Sequence, residues 1–365
     1  MEFHPIRDLV LTLLAGLLSI ATHGQGPSET KAGGNHNASV PMIDAGATAQ
    51  PFAPGIVASR YDEWATSFSP DDKTVYFSRG GYYWTICFSQ YKNGTWQRPH
   101  VASFSGKWKD TDPFVSPDGK KLFFVSNRPI GEMAGDASGS PARGAGAVGG
   151  GTGVATGTAA AERPHPNFHL WYVERLAGGN WGKPHHIGDA VNIDSGNNYG
   201  PSVSAKGTLY WCSRNRQGNP GMQGYAATWL GDHYDQPKMV RVPGVNSIQD
   251  PFIAPDERYL VFLSGQDLYI AFRQAGGPDA AGGEQGWGPA QKLGPAVNDG
   301  GGNSSPYVSH DGKTLYFSSS RVKGFYERKG APLDYDQLEK ENDNWCNGSG
   351  NILMIPIRLP AAKGM

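Results

Sequence analysis

The feature that most constrains this chain is a hairpin motif that returns five times. Each copy is a short strand ending in Ser-Pro or a variant, then a turn, then a strand of aliphatic and aromatic residues. The copies lie at Ser67–Phe77, Asp112–Phe124, Pro201–Trp211, Asp250–Phe262 and Ser305–Phe317. Asp-Gly or Asp-Asp between two apolar strands supplies the left-handed backbone positions of a tight hairpin. Large apolar residues on successive positions of the second strand indicate burial on both faces. The anchoring residues Ser69, Ser116, Ser204, Ala254 and Ser309 are 47, 88, 50 and 55 residues apart. The long interval contains a Gly/Ala-rich segment, 131–163, and falls to 55 without its 33 residues. The chain is therefore an array of units of about fifty residues.

Two more strands fit between successive hairpins. A third, aromatic strand is expected at Tyr82–Tyr91, Phe168–Arg175, Gly224–Gly231, Asp267–Arg273 and Gly350–Arg358. A fourth follows a turn carrying Trp96, Trp181 or Trp287, leading into Ile187–Asn192 and Leu293–Asn298; the copy around Pro237–Asn246 lacks the Trp. The missing fifth copy of strand four is expected at Phe52–Ser59, ahead of the first hairpin. Repeats whose last strand comes from the N-terminus close into a ring and leave no open edge. The expected fold is all-β: a five-bladed β-propeller of four-stranded blades closed by an N-terminal strand, with six blades as the alternative count.

Composition agrees with this architecture. Glycine, at 51 of 365 residues, is about twice its usual share, yet 10 Trp, 16 Tyr and 15 Phe argue against disorder. A net charge of −1 excludes an electrostatic nucleic-acid binder. The apolar run Leu9–Ala21, after His4 and Arg7, is too short to span a bilayer but suits the core of a signal peptide. The expected organisation is a signal peptide (1–24), a flexible leader (25–50), the propeller (51–358, with 131–163 as a low-complexity insert) and a C-terminal tail (359–365). A monomer without a transmembrane span is expected after cleavage. Cys87, Cys212 and Cys346 are too few for a disulfide framework and read as two buried strand thiols and one loop thiol.

Ser116–Lys120 with Phe124–Arg128, Asp250–Ile253 and Asp267–Arg273 resemble the bacterial PD40, or WD40-like, propeller repeats found in TolB and in many exported proteins. The resemblance spans about residues 51–358 and departs from the motif at Asp72, Lys206 and Glu257. It implies the fold and a periplasmic or secreted location. Its functional content is small, because the repeat serves binding, scaffold and enzyme-associated propellers alike.

Loops from strand four to strand one and from strand two to strand three open on one face of a propeller, and the Asp-Gly hairpins on the other. The longest insertions (129–166, 215–223 and 321–349) all fall between strands two and three, so that face is the expected binding face. Glu63, Asp110, Asp112 and Asp250 begin the inner strands there, with Asn198 and Asn303 at comparable places. Arg79, Arg128, Arg214 and Arg321 end the second strands in four of the five repeats. They could clamp an anionic or polyhydroxylated ligand, or they could fasten the ring. Tyr61, Glu63, Trp64, Lys109, Asp110, Asn198, Tyr199 and Gln249 do not recur, which makes them candidates for ligand contact. The expectation is a non-enzymatic module for an envelope or extracellular protein or glycan. The alternative is a glycoside hydrolase or polysaccharide lyase using Glu63 with Asp110 or Asp250.

No cofactor or metal site is expected. His165, His169, His185 and His186 offer no third partner by spacing. The stretch Gly144–Gly157 lacks the Lys-Ser/Thr ending of a phosphate loop. Leu333–Asn342 reads as a short acidic helix, and Asp334, Asp336 and Asp343 do not match an EF-hand.

Overall fold

The structure is a computed structural model that describes residue 43 and residues 46–81, 83–130, 164–274, 286–321 and 330–360. The expected low-complexity insert, the signal peptide and most of the leader lie outside the described residues. A two-residue strand, β1 (Gln50–Pro51), comes first. The first blade is β2 (Glu63–Phe68), β3 (Thr74–Arg79) and β4 (Thr85–Lys92), with β5 (Thr95–Trp96) and β6 (His100–Val101) both pairing on β4. The second is β7 (Asp110–Val115), β8 (Lys121–Ser126), β9 (His169–Glu174) and β10 (His185–His186). The third is β11 (Asn198–Val203), β12 (Leu209–Arg216), β13 (Asn219–Ala227) and β14 (Lys238–Met239). The fourth is β15 (Gln249–Ile253), β16 (Tyr259–Ser264), β17 (Asp267–Phe272) and β18 (Gln291–Lys292). The fifth is β19 (Asn303–Val308), β20 (Thr314–Ser319) and β21 (Asn351–Pro356), with β1 as its outer strand. All pairings are antiparallel, and the molecule is a five-bladed propeller closed by its N-terminal strand.

The closing strand lies earlier than the sequence suggests. Gln50 pairs with Met354 and Pro51 with Leu353, while residues 52–59 form turns that carry the chain to the first inner strand. The other outer strands are equally short, and Ile187–Asn192 and Leu293–Asn298 are crossings between blades, not strands. An Asn side chain explains why. Asn192 accepts from the Leu170 amide (2.8 Å) and donates to its carbonyl (3.0 Å); Asn298 does the same to Leu268 (2.8 and 2.9 Å). The side-chain amide thus replaces the next rung of the ladder, and the backbone is free to leave the sheet.

The hairpin serines have a similar task. Ser69, Ser116 and Ser309 accept from the amides of Thr74 (2.9 Å), Lys121 (3.0 Å) and Thr314 (2.9 Å) while donating to Asp71, Asp118 and Asp311. Where the turn glycine is missing, Asp72 and Glu257 take the left-handed conformation (φ 55° and 62°). The segment 215–223, expected as a loop, continues the β12–β13 ladder and turns only at Gln217-Gly218, both at positive φ. The expected acidic helix is α1 (Tyr335–Asn342), between β20 and β21, capped by Asp334 with Gln337 in a capping box. The three cysteines are buried, Cys87 and Cys212 in strands as expected.

Every inner strand carries a β-bulge at one register position. Ala65, Asp112, Gly200, Asp250 and Ser305 all have φ between 45° and 58° there. In four blades the next residue is proline (Pro113, Pro201, Pro251 and Pro306), which a strand tolerates only at a bulge or an edge. Each bulge turns its amide toward the preceding blade. Ala65 donates to Ser318 Oγ (3.1 Å) and Asp112 to Ser78 Oγ (2.9 Å). Gly200 donates to Asp112 Oδ2 (3.0 Å) and Ser305 to Asp250 Oδ2 (3.2 Å). The Asp250 amide faces the Cys212 sulfur. Val125 and Leu263 occupy the second-strand positions where Ser78, Cys212 and Ser318 stand in the other blades. In those two blades the bulge residue is an aspartate, which supplies the missing acceptor itself.

Candidate functional site

The bulge ring forms the floor of a funnel on the face of the long crossings. Its volume is about 360 Å³, and Asp112, Asp250 and Ser305 lie at its base. Its wall is built from Trp64, Thr111, Tyr199 and Ser304, all at the position just before the bulge, together with Trp84, Asp62 and the serines Ser318, Ser319 and Ser320. Beneath the bulges, Phe114, Phe252 and Tyr307 project to the axis with ring centroids 5.0–6.4 Å apart, so an aromatic plug separates the funnel from the hairpin face. A larger cavity of about 660 Å³ opens on that hairpin face. Among its charged groups, Arg258 pairs with Asp256 and Lys313 with Asp311 within their own turns, and His310 pairs with Asp72. The funnel, not this cavity, holds buried polar groups that converge.

Among the described residues no Lys or Arg pairs with either base carboxylate. Asp112 accepts from Trp64 Nε1 (3.2 Å), Thr111 Oγ1 (2.9 Å) and the Gly200 amide. Asp250 accepts from the Ser305 amide and hydroxyl (3.2 and 3.3 Å). Gly200 stands between the acids. A Cβ on it would meet Asp250 Cα at 2.8 Å, so glycine alone lets the two strands approach this closely. Burial raises both carboxyls, and for Asp250 the neighbouring Asp112 charge adds to burial and the group reaches about 6. Trp84 meets Trp64 edge-on (5.7 Å) and stacks on Phe168 (5.2 Å, 21°), which in turn packs on Tyr199. The result is a polar base with an aromatic rim.

Of the residues singled out from sequence, Trp64, Asp112, Tyr199 and Asp250 line this funnel together. Glu63, Asp110 and Asn198 begin the inner strands, as expected, but sit two residues before the bulge and are fully buried within the blades. Glu63 accepts from Ser59 and pairs with Arg79 Nε (3.0 Å); burial still pushes it up to about 7. Asp110 pairs with Arg128 (2.8 Å) and accepts from Ser105. Asn198 binds Trp211 Nε1 (3.2 Å) and Asn192. Tyr61 packs on Arg79 outside the funnel, and Gln249 stands on the inner strand at the register of Trp64.

The repeated arginines share one geometry. Arg79 donates to the Ile56 carbonyl, Arg128 to that of Phe104, and Arg321 to those of Ala296 and Val297 (3.0–3.1 Å). Each ties the end of its second strand to the crossing that enters its own blade. In the third blade Arg216, not Arg214, does this by binding Ala190 and Val191, and the Arg214 side chain is exposed. The lining of the funnel includes no Arg or Lys among the described residues.

The residues missed from sequence are Trp84, Thr111, Asp62 and the serines of β19 and β20. A usable signal was present: an Asp, Gly or Ser followed by Pro inside an inner strand marks the bulge, hence the axis.

No family model matches the chain, and no curated protein matches it in sequence. Solved structures of similar fold include TolB from Acinetobacter baumannii, at 13% identity and a TM-score of 0.40, covering 81% of this chain and 56% of that one. This chain thus spans little more than half the length of the Acinetobacter protein. A putative TolB from Agrobacterium tumefaciens gives 13% identity and a TM-score of 0.42, covering 80% and 90%. A gluconolactonase from Xanthomonas campestris gives 10% identity and 0.43, covering 88% and 96%. These likenesses concern the propeller fold alone.

Proposed function

We propose that this chain is an exported propeller of the PD40 type that binds a neutral envelope or extracellular glycan in its funnel without transforming it. The observation that carries the reading is the lining itself. Aromatic rings at the rim, serine hydroxyls and two uncompensated carboxylates suit stacking on a sugar ring and accepting bonds from its hydroxyls. An anionic ligand would find no Arg or Lys in the lining among the described residues; Lys109 Nζ stands 5.9 Å from the Trp84 ring at the rim. Glu63 and Asp110 are committed to arginines, which removes the first carboxylate pair considered for catalysis. In the described residues no helix is long and apolar enough to cross a membrane.

A second reading, glycoside hydrolysis or lyase chemistry, rests on the Asp112–Asp250 pair, in which one carboxyl holds its proton to about pH 6. One experiment tests both. The purified chain is titrated calorimetrically with neutral and uronic-acid-containing oligosaccharides, and the mixtures are analysed for released products. The expected result is binding of neutral oligosaccharides without product, weakened about fivefold or more in Trp64→Ala by loss of the stacking surface. Product release that disappears in Asp250→Asn would establish the second reading instead. Equal affinity in wild type and Trp64→Ala would remove the funnel from consideration.

A further inference from the structure

We propose that His165, His169 and Asp194 form a binding site for one divalent transition-metal ion of the zinc class, with a fourth position open to water. The inference does not depend on the glycan reading. Nitrogen atoms of the two imidazoles and a carboxylate oxygen of Asp194 all lie within 4.8 Å of one another. His165 Nε2 and Asp194 Oδ1 are 3.9 Å apart. Tetrahedral ligation at about 2.0–2.1 Å sets donor atoms about 3.3 Å apart. The exposed Asp194 side chain can close that difference by rotation.

The hydrogen-bond network already prepares His169. Asn192 Oδ1 accepts from the Leu170 amide, so its Nδ2 is the group that faces His186 Nε2 at 2.8 Å. His186 Nε2 must then be an acceptor, and the His169 Nδ1 beside it (3.2 Å) must carry the proton. That tautomer leaves the lone pair on His169 Nε2, which is buried and has no hydrogen-bond partner among the described residues. A neutral imidazole held by a second-sphere acceptor and presenting a free nitrogen is the form a metal binds.

His165 has the matching option. Its Nδ1 lies 3.0 Å from the Asn167 carbonyl and 3.1 Å from the Asn167 amide, so it can donate to the carbonyl once Nε2 holds a metal. Asn167 also donates to the Asp194 carbonyl, which fixes the loop that brings the third ligand. The site draws on the strand-two-to-three crossing, the first residue of β9 and the strand-four-to-one crossing. It therefore lies on the same face as the funnel. Spacing did not reveal it because Asp194 belongs to a different crossing from the two histidines.

The test uses the untagged full-length protein after treatment with EDTA, titrated with Co²⁺ by visible absorption and with Zn²⁺ by calorimetry. One equivalent should bind, with the strong visible bands of tetrahedral Co²⁺, and Zn²⁺ should raise the thermal midpoint. His165→Gln and Asp194→Asn, both outside the core, should each weaken binding about tenfold or more with unchanged circular dichroism. His233→Gln, at an exposed His-Asp pair on another blade, should leave it unchanged. Failure of the wild type to bind one equivalent overturns the proposal, and so does binding that survives both ligand substitutions.

Discussion

The buried aspartates show how one residue can serve the ring and its cavity at once. Asp112 and Asp250 accept bulge amides from the next blade because Val125 and Leu263 leave no hydroxyl to do so. An amide side chain keeps that acceptor and discards the charge. Asp250 takes up a proton near pH 6 when folded, but near pH 4 when unfolded. Between those values the native state binds more protons, so this group favours folding as pH falls from 7 toward 4. Urea denaturation of Asp250→Asn should therefore show stability at pH 7 equal to or above wild type. The difference should shrink toward pH 4. A variant less stable than wild type at pH 7 by the same margin as at pH 4 would refute the raised carboxyl.

At the scale of the element, four of the five second strands are each pinned by one arginine to the crossing that enters their blade. The pairing with Asp110 is nearly solvent-free, with Arg128 5% exposed and Asp110 0%. Removing one partner of such a pair leaves a buried charge alone, which costs about 3–5 kcal/mol. Arg128→Ala should lose that much in chemical denaturation. Arg214→Ala, a substitution of the exposed arginine nearby, should lose less than about 0.5 kcal/mol. Sequence reading grouped these two arginines together, since both end a second strand. It could not see that the longer β12–β13 ladder shifts the inward-facing arginine to Arg216.

For the whole molecule, closure rests on two residues of β1 and on Phe52 just after it. The Phe52 ring lies 5.6 Å from Phe68 and 5.4 Å from Trp96 in the first blade, and 5.1 Å from Tyr316 in the fifth. It is a wedge between the two blades that the closing strand joins, and its loss should be felt by both. Phe52→Ala should cost about 3–5 kcal/mol. Deleting residues 25–58 should lower the thermal midpoint by more than the point substitution does, whereas deleting 131–163 should change it little. Equal midpoints for the two deletions would contradict closure by strand exchange.

The repeats and the insertions between them, read in sequence, pointed to the all-β class, to five blades with six as the alternative count, to the face that carries the long crossings and to the N-terminal source of the closing strand. Those properties follow from local chemistry: turn residues, apolar runs and their period are written in consecutive positions. The tertiary structure decided which side chains meet. The funnel gathers residues from all five blades, selected by a bulge that moves the axis-facing position two residues past Glu63 and Asp110. The histidine cluster gains Asp194 only because two crossings converge on one face. A contact between distant segments depends on register and crossing geometry, and a one-residue shift in either exchanges a buried clamp such as Arg216 for an exposed Arg214.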